Sequence, residues 1–543
     1  MAGKRLCIAG IVAVTGLTLA TSPAGAESQF SYVEPAAPGV SLKVLATAGD
    51  MVNGALLPGT PDGIGLLRDG TNVVVFTNHE LSLSDKVAAA QKRAGGAASG
   101  STVSAMNVDT STMTVTGAKD LLGNVSWWDY QTAAYSSKPG APTGAAAKDS
   151  FGTPLHGTGL NRLCSSHMSQ PGDLAYQAKD AKTGKVTTLG YSGPVYFTGE
   201  EGGDESRAFA MDTAGNLVQL PRFGLAAWEN FLPAPKTGRR TVVMMNEDGS
   251  ATDSQAWMYV GEKTSTGGWA DKAGLTNGQA YVMSVTGIAN DNAFRASAGK
   301  NNPKAVNFMA IDTTVNGAQQ NAQARSLGTI MSRVEDGSWD PKNPNNYYFV
   351  TTESNKDPKA TAANPQTPKV TRDGGALWRL TFNDVQNPLA GATLTMLLDG
   401  SEAPYLNKPD NIDVDEFGNV LIQEDPGNND HVSRVVAYRI ADGKIATVAK
   451  FKDQYFVPGA AQFITKDEES SGIVDATRFM RKSATDQNAY YIFDAQVHVP
   501  TSQARIDLPG LSATDKATID NAVEGGQWYV MTVPDWAAIY NAA

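Results

Sequence analysis

Carboxylates recur along this chain where apolar runs end. They stand at Asn78-His79-Glu80, Glu200-Glu201, Glu229, Glu247-Asp248, Glu335, Asp410-Asn411, Glu424-Asp425 and Glu468-Glu469. One such acid is ordinary solvated surface, so the set is what carries information. Acids brought together by a fold repel one another unless cations neutralise them, and hard ions such as Ca²⁺ or Fe³⁺ take several oxygens at once. Cys164 falls within the series. Read alone it is either a buried, inert thiol or a ligand, and a thiolate favours a transition metal. Arg333 lies two residues before Glu335, which on a strand puts both on one face. A guanidinium beside carboxylates suits an anionic substrate, because it grips phosphate through two parallel hydrogen bonds. His156 and His167 flank Cys164, so a Cys-His nucleophile pair stays open. The chain has no Gly-x-Ser-x-Gly elbow, no HExxH and no P-loop lysine.

The elements that must position these groups read as strands. Short β-branched and aromatic runs alternate with turns, as at 71–76, 194–197, 241–245, 256–260, 347–350, 420–423 and 489–493. Charged residues make up only 18%, against 54 glycines and 27 prolines, and long amphipathic helical patterns are scarce, which is the make-up of a large all-β protein. One local pattern returns: Asp212-Thr213-Ala214-Gly215-Asn216 resembles Asp415-Glu416-Phe417-Gly418-Asn419, with a looser version at Asp340 to Asn346. Each reads as strand, Asp-led turn, strand. Hairpins at blade-like spacing predict a β-propeller, with a large sandwich as the alternative. Three stretches read as surface loops, 95–100, 136–148 and 356–371, and 512–524 has helical spacing.

The N-terminus reads as a signal peptide over residues 1–26. Lys4 and Arg5 precede an apolar run to about Ala20, and Ala24-Gly25-Ala26 suits cleavage. Residues 27–543 then form a single domain. Cys7 leaves with the leader, so the exported chain keeps one cysteine and no internal disulfide. The net charge of -11 disfavours nucleic acid and anionic membrane surfaces as partners. No later segment is apolar enough to span a bilayer, and a soluble monomer, secreted or periplasmic, is expected.

In this order the motifs resemble the PhoX family of secreted bacterial alkaline phosphatases. They are Phe76-Thr77-Asn78-His79-Glu80, Asn161-Arg162-Leu163-Cys164-Ser165-Ser166, Thr198-Gly199-Glu200-Glu201-Gly202, Ala227-Trp228-Glu229-Asn230, Met331-Ser332-Arg333-Val334-Glu335-Asp336, Leu377-Trp378-Arg379-Leu380, Lys408-Pro409-Asp410-Asn411-Ile412 and Ile422-Gln423-Glu424-Asp425-Pro426. The resemblance implies a six-bladed propeller with a cluster of iron and several calcium ions at the channel mouth, hydrolysing small phosphate monoesters. It implies Cys164, Glu229, Glu335, Asp410 and Glu469 as metal ligands, with Glu468 competing for the last place. Arg333 is implied as the phosphate-contacting arginine, and Asn78, Glu80, Glu200 and Glu201 as calcium-side or supporting positions. The chain departs from typical members in carrying Ser165-Ser166 after the cysteine, where an acidic pair is usual. Many members also have a twin-arginine leader, where this chain has Lys4-Arg5. The alternatives are a calcium-dependent propeller lactonase and a non-catalytic calcium-binding surface propeller.

Overall fold

The computed structural model describes residues 30–83, 100–148, 152, 154–250, 252–352, 375–402, 404–427, 432–499 and 522–543. The leader, residues 95–99, the 356–371 loop, His431 and most of 512–524 lie outside these residues. Six antiparallel four-stranded units follow one another along the chain, each running from the centre outward. Their first strands are Pro61–Asp69, Leu163–Ser169, Trp228–Pro233, Val334–Trp339, Pro409–Val414 and Glu468–Asp475. These six pack side by side in cyclic order, the sixth returning to the first, which closes a propeller around a central channel. A channel cavity of about 390 Å³ is lined by residues from all six. The expectation of an all-β, six-bladed propeller therefore holds.

The ring is locked by strand exchange. Blade six has three strands from the C-terminal end and takes its outermost one, Ser41–Thr47, from the N-terminal side of the chain. Val33–Pro35 likewise adds an outer strand to blade five. Such pairing covers edges that would otherwise be open. Blades three and four are joined further out, where Lys304–Ala310 pairs with the fourth strand of each.

Burial explains which strands the sequence displayed. The expected runs became strands, and six of them are the second strands of their blades, packed on both faces: Asn72–His79, Val195–Glu200, Arg240–Glu247, Asn346–Thr351, Asn419–Glu424 and Ala489–Val497. The repeated turns also formed as read. Asp212 accepts from Ala214 N, Asn216 N and Asn216 Nδ2, and Asp415 accepts from Phe417 N, Asn419 N and Asn419 Nδ2. The following glycines, Gly215 and Gly418, take φ of 86° and 96°. At the axis the inner strands nearly touch: a Cβ on Gly63 would lie 2.1 Å from Ser166 N.

Candidate metal centre

All six inner strands enter the channel alike. The second residue of each is Asp62, Cys164, Glu229, Glu335, Asp410 or Glu469. These side chains form one ring, with one member from each blade. In five of the six, the pairing register shifts across this residue: Pro61/Ile64, Leu163/Ser166, Trp228/Asn230, Val334/Gly337 and Pro409/Ile412. A bulge re-aims a side chain out of the regular ladder, here into the channel mouth.

A second tier repeats as strictly. The carbonyl two residues before each ring member accepts a hydrogen bond from the residue that follows or ends the second strand of the same blade. The pairs are Glu80 N to Thr60 O (3.0 Å), Glu201 N to Arg162 O (2.9 Å), Asp248 N to Ala227 O (2.9 Å), Thr352 N to Arg333 O (3.0 Å), Asp425 N to Lys408 O (2.9 Å) and His498 N to Asp467 O (3.0 Å). Glu80, Glu201, Asp248, Thr352, Asp425 and His498 are thus equivalent positions beside the ring.

Ligand-type atoms converge there in three linked groups, each with all its atoms within 4.8 Å of one another: Asp62, Glu80 and Cys164; Cys164, Glu201 and Glu229; Glu229, Glu335 and Asp410. Two arginines, Arg162 and Arg333, are the cations that reach these acids, and several oxygens are left without a hydrogen bond. Glu335 Oε1 and Asp410 Oδ1 are buried without a hydrogen bond, and so are both carboxylate oxygens of Asp494, which lies below the ring on the second strand of blade six. Burial pushes Asp62, Glu229, Glu335 and Asp410 well above the usual carboxylate range, and neighbouring acids push them further. Burial and then Asp62 and Glu229 raise the Cys164 thiol, which donates to Asp62 Oδ2 at 3.1 Å. Glu469 is pushed up to about 7, by burial first.

Around this core stand groups that fix it. Asn78 donates to the carbonyls of Cys164 and Ser165 and accepts from Tyr196 Oη, holding the strand behind the cysteine. Ser165 Oγ donates to Glu229 Oε1 (2.5 Å) and accepts from Asn411 Nδ2 (2.5 Å). Gln496 Nε2 lies 3.2 Å from both Asp62 Oδ2 and Glu80 Oε2. The Arg333 guanidinium is held in parallel by Asp248, Nε to Oδ1 at 2.8 Å and Nη2 to Oδ2 at 2.5 Å, and its Nη2 is 3.3 Å from Glu335 Oε1.

The residues singled out from sequence divide clearly. Cys164, Glu229, Glu335, Asp410 and Glu469 come together in the ring, with Glu80, Glu201 and Arg333 beside them. Glu468 points elsewhere, accepting from Ser433 N. Glu200 is tied up by Arg207 through two 2.7 Å contacts, and Glu424 by Arg434 in the same way. Along a strand, neighbouring side chains face opposite ways. In each acidic pair, therefore, the first member is structural and the second lies in the ring or beside it. His79 bonds Gly59 O and Ser104 Oγ, His156 bonds Glu205, and His167 lines the cavity further along the channel, so none of them partners Cys164. Asp62 was missed. Pro61-Asp62-Gly63 reads as a turn, and only alignment of the six blade entries exposes it.

Residues 212–474 match the family model of alkaline phosphatase PhoX. The chain is PhoX-like. The match makes it a phosphatase, a hydrolase of phosphoric monoesters. Its fold is shared with Pseudomonas fluorescens PhoX, solved in complex with vanadate, a transition state analogue: 13% identity, TM-score 0.60, covering 93% of this chain and 96% of that one. A luciferin-regenerating enzyme aligns at 8% identity over 91% of this chain and 96% of its own, with a TM-score of only 0.32. No curated protein matches the sequence.

Proposed function

We propose that this PhoX-like chain is a metal-dependent alkaline phosphatase that hydrolyses small phosphate monoesters at the six-blade ring. The ring itself carries the reading: buried acids and a thiol aimed at one point, with carboxylate oxygens that no protein donor satisfies. Taking an ion out of water costs several kcal/mol or more, on the order of the whole stability of a domain when several are gathered. Cations are the natural offset.

The donor set fits such ions. Asp62, Glu229, Glu335, Asp410 and Glu469, with Glu80 and Glu201, offer the hard oxygens that Ca²⁺ and Fe³⁺ take, and Cys164 adds the softer donor that selects iron. Bound there, the cations supply Lewis-acid polarisation of phosphate oxygens and activation of water. The protein's own groups do the rest. Arg333, its plane set by Asp248, meets the charge that develops on the phosphoryl oxygens. Ser165, itself held by Asn411, orients Glu229, so the first of the two serines standing where an acidic pair is usual acts through that glutamate. A cleft of about 960 Å³, lined by Arg162, Glu201, Asp248 and Asn321, opens beside the ring and gives the leaving group room. The vanadate complex of the Pseudomonas protein supports a phosphoryl-transfer reading.

The test is turnover of p-nitrophenyl phosphate by purified protein. Activity should vanish in EDTA and return with Ca²⁺ and Fe³⁺ together. Full activity in strong chelator, or none with both ions supplied, overturns the reading. Among the described residues no helix is long and apolar enough to cross a membrane. We further propose export of residues 27–543 as a single domain after removal of 1–26. N-terminal sequencing of the secreted protein should begin at Glu27.

A further inference from the structure

Four of the six blades hold a non-glycine residue in left-handed backbone two positions before the ring member: Thr60 (φ 43°), Arg162 (φ 48°), Arg333 (φ 62°) and Lys408 (φ 48°). Such conformations are uncommon for long side chains and cost stability, and they gather where function needs them. Three of the four residues are cations, set at one level above a ring of acids.

Arg162 is the blade-two counterpart of Arg333. Both stand two residues before a ring member, and both give their carbonyl to the neighbouring tier. Both guanidiniums also reach a carboxylate of the linked groups: Arg162 Nη2 lies 2.5 Å from Glu80 Oε1 and 2.7 Å from Glu201 Oε2. They flank Glu229 from opposite sides, because Glu201 shares a group with Cys164 and Glu229, and Glu335 shares one with Glu229 and Asp410. The Arg162 side chain is 46% exposed and lines the 960 Å³ cleft together with Asp248, the partner of Arg333. Among the described residues, its Nε and Nη1 make no hydrogen bond. A cation fixed at the cleft mouth, with one edge anchored by acids and the other facing open space, is built to receive an anion.

From this geometry we infer that Arg162 is a second substrate-binding arginine, which grips the phosphoryl group across Glu229 from Arg333. The inference rests on the phosphatase reading above. Two arginines on opposite sides of the phosphoryl group confine its equatorial oxygens while the leaving group lies in the cleft. The product, inorganic phosphate, keeps those oxygens and is read the same way.

The experiment compares wild type, Arg162→Gln and Arg162→Lys in Ca²⁺ and Fe³⁺. It measures the KM for p-nitrophenyl phosphate, the inhibition constant of inorganic phosphate, metal content by elemental analysis, and heat of phosphate binding. The glutamine variant should raise KM and the phosphate inhibition constant in parallel, about 10- to 100-fold, the scale of a lost charged hydrogen bond. Metal content and thermal midpoint should hold, and lysine should recover part of the loss. Unchanged phosphate affinity overturns the inference, and so does loss of metal, which would make Arg162 a support for Glu80 and Glu201. Wild type that binds phosphate calorimetrically without turnover would sink the phosphatase reading while leaving Arg162 testable by the same titration.

Discussion

Three of the six inner strands, Val334–Trp339, Pro409–Val414 and Glu468–Asp475, carry acids at two depths, and the two levels are built on different plans. At the mouth, Glu335 and Asp410 keep buried oxygens that accept no hydrogen bond, although Arg333 Nη2 lies 3.3 Å from Glu335 Oε1. Deeper in the channel, Asp336 accepts from Asn230 Nδ2 and Gly337 N at 2.6 Å each, and Asp413 accepts from Ser338 Oγ, Val414 N and Asp475 N. Residue types and strands are shared. Backbone amides and neutral side chains satisfy the deep acids, whereas the mouth acids crowd one another around two arginines and a few side-chain donors. Satisfied acids hold a channel together, and unsatisfied acids wait for cations.

Chelation should break the two levels apart most strongly. An ion bound only by the folded state stabilises it by about 4 kcal/mol at a thousandfold excess over its Kd. Calorimetry in Ca²⁺ against EDTA should therefore show a large fall in unfolding temperature together with the loss of turnover. Equal midpoints in both would mean that the mouth is as self-sufficient as the deep channel.

Glu335→Gln sharpens the contrast through a change of sign. Without ions it removes one member of a repelling set, so the variant in EDTA should unfold later than wild type in EDTA. With ions present it loses a ligand, so the order should reverse in Ca²⁺, and turnover should fall at least about 100-fold, the scale of a lost transition-state contact. A variant less stable than wild type in both buffers would show that Glu335 serves packing instead.

How much of this could be read from the chain follows from burial. The second strands are apolar on both faces and were visible as runs such as Val73-Val74-Val75-Phe76. The innermost strands were not, because their entries carry function in place of apolar pattern: Pro61-Asp62-Gly63 looks like a turn and Lys408-Pro409-Asp410 like a loop. Most ring members could still be found by family motif order, while Asp62 needed the closed ring to reveal its register. The pairs Glu200-Glu201 and Glu424-Asp425 were visible, but not which member faces the channel. That depends on the arginines Arg207 and Arg434, whose approach is a tertiary matter.

A change of pH tests the deep level on its own. Burial raises Asp413 to about 7, with the adjacent Asp475 charge adding to it against the amide bonds that favour ionisation. The fold therefore holds a proton that the unfolded chain releases near pH 4. Protonation favours the folded state, so this contribution is complete below about pH 4 and is lost as pH rises through about 7. Asp413→Asn cannot titrate. The variant should be less stable than wild type at low pH, where its amide nitrogen meets the Asp475 N–H. The gap should then narrow by up to about 1.4 kcal/mol per pH unit, less for partial exposure, and level off above about 7. Urea midpoints of both proteins from pH 4.5 to 8, at fixed Ca²⁺, measure it, and titration of the mouth acids cancels in the difference. A gap that stays constant across this range would mean that Asp413 is ionised throughout, and that its three donors alone are enough to hold a full charge in the channel.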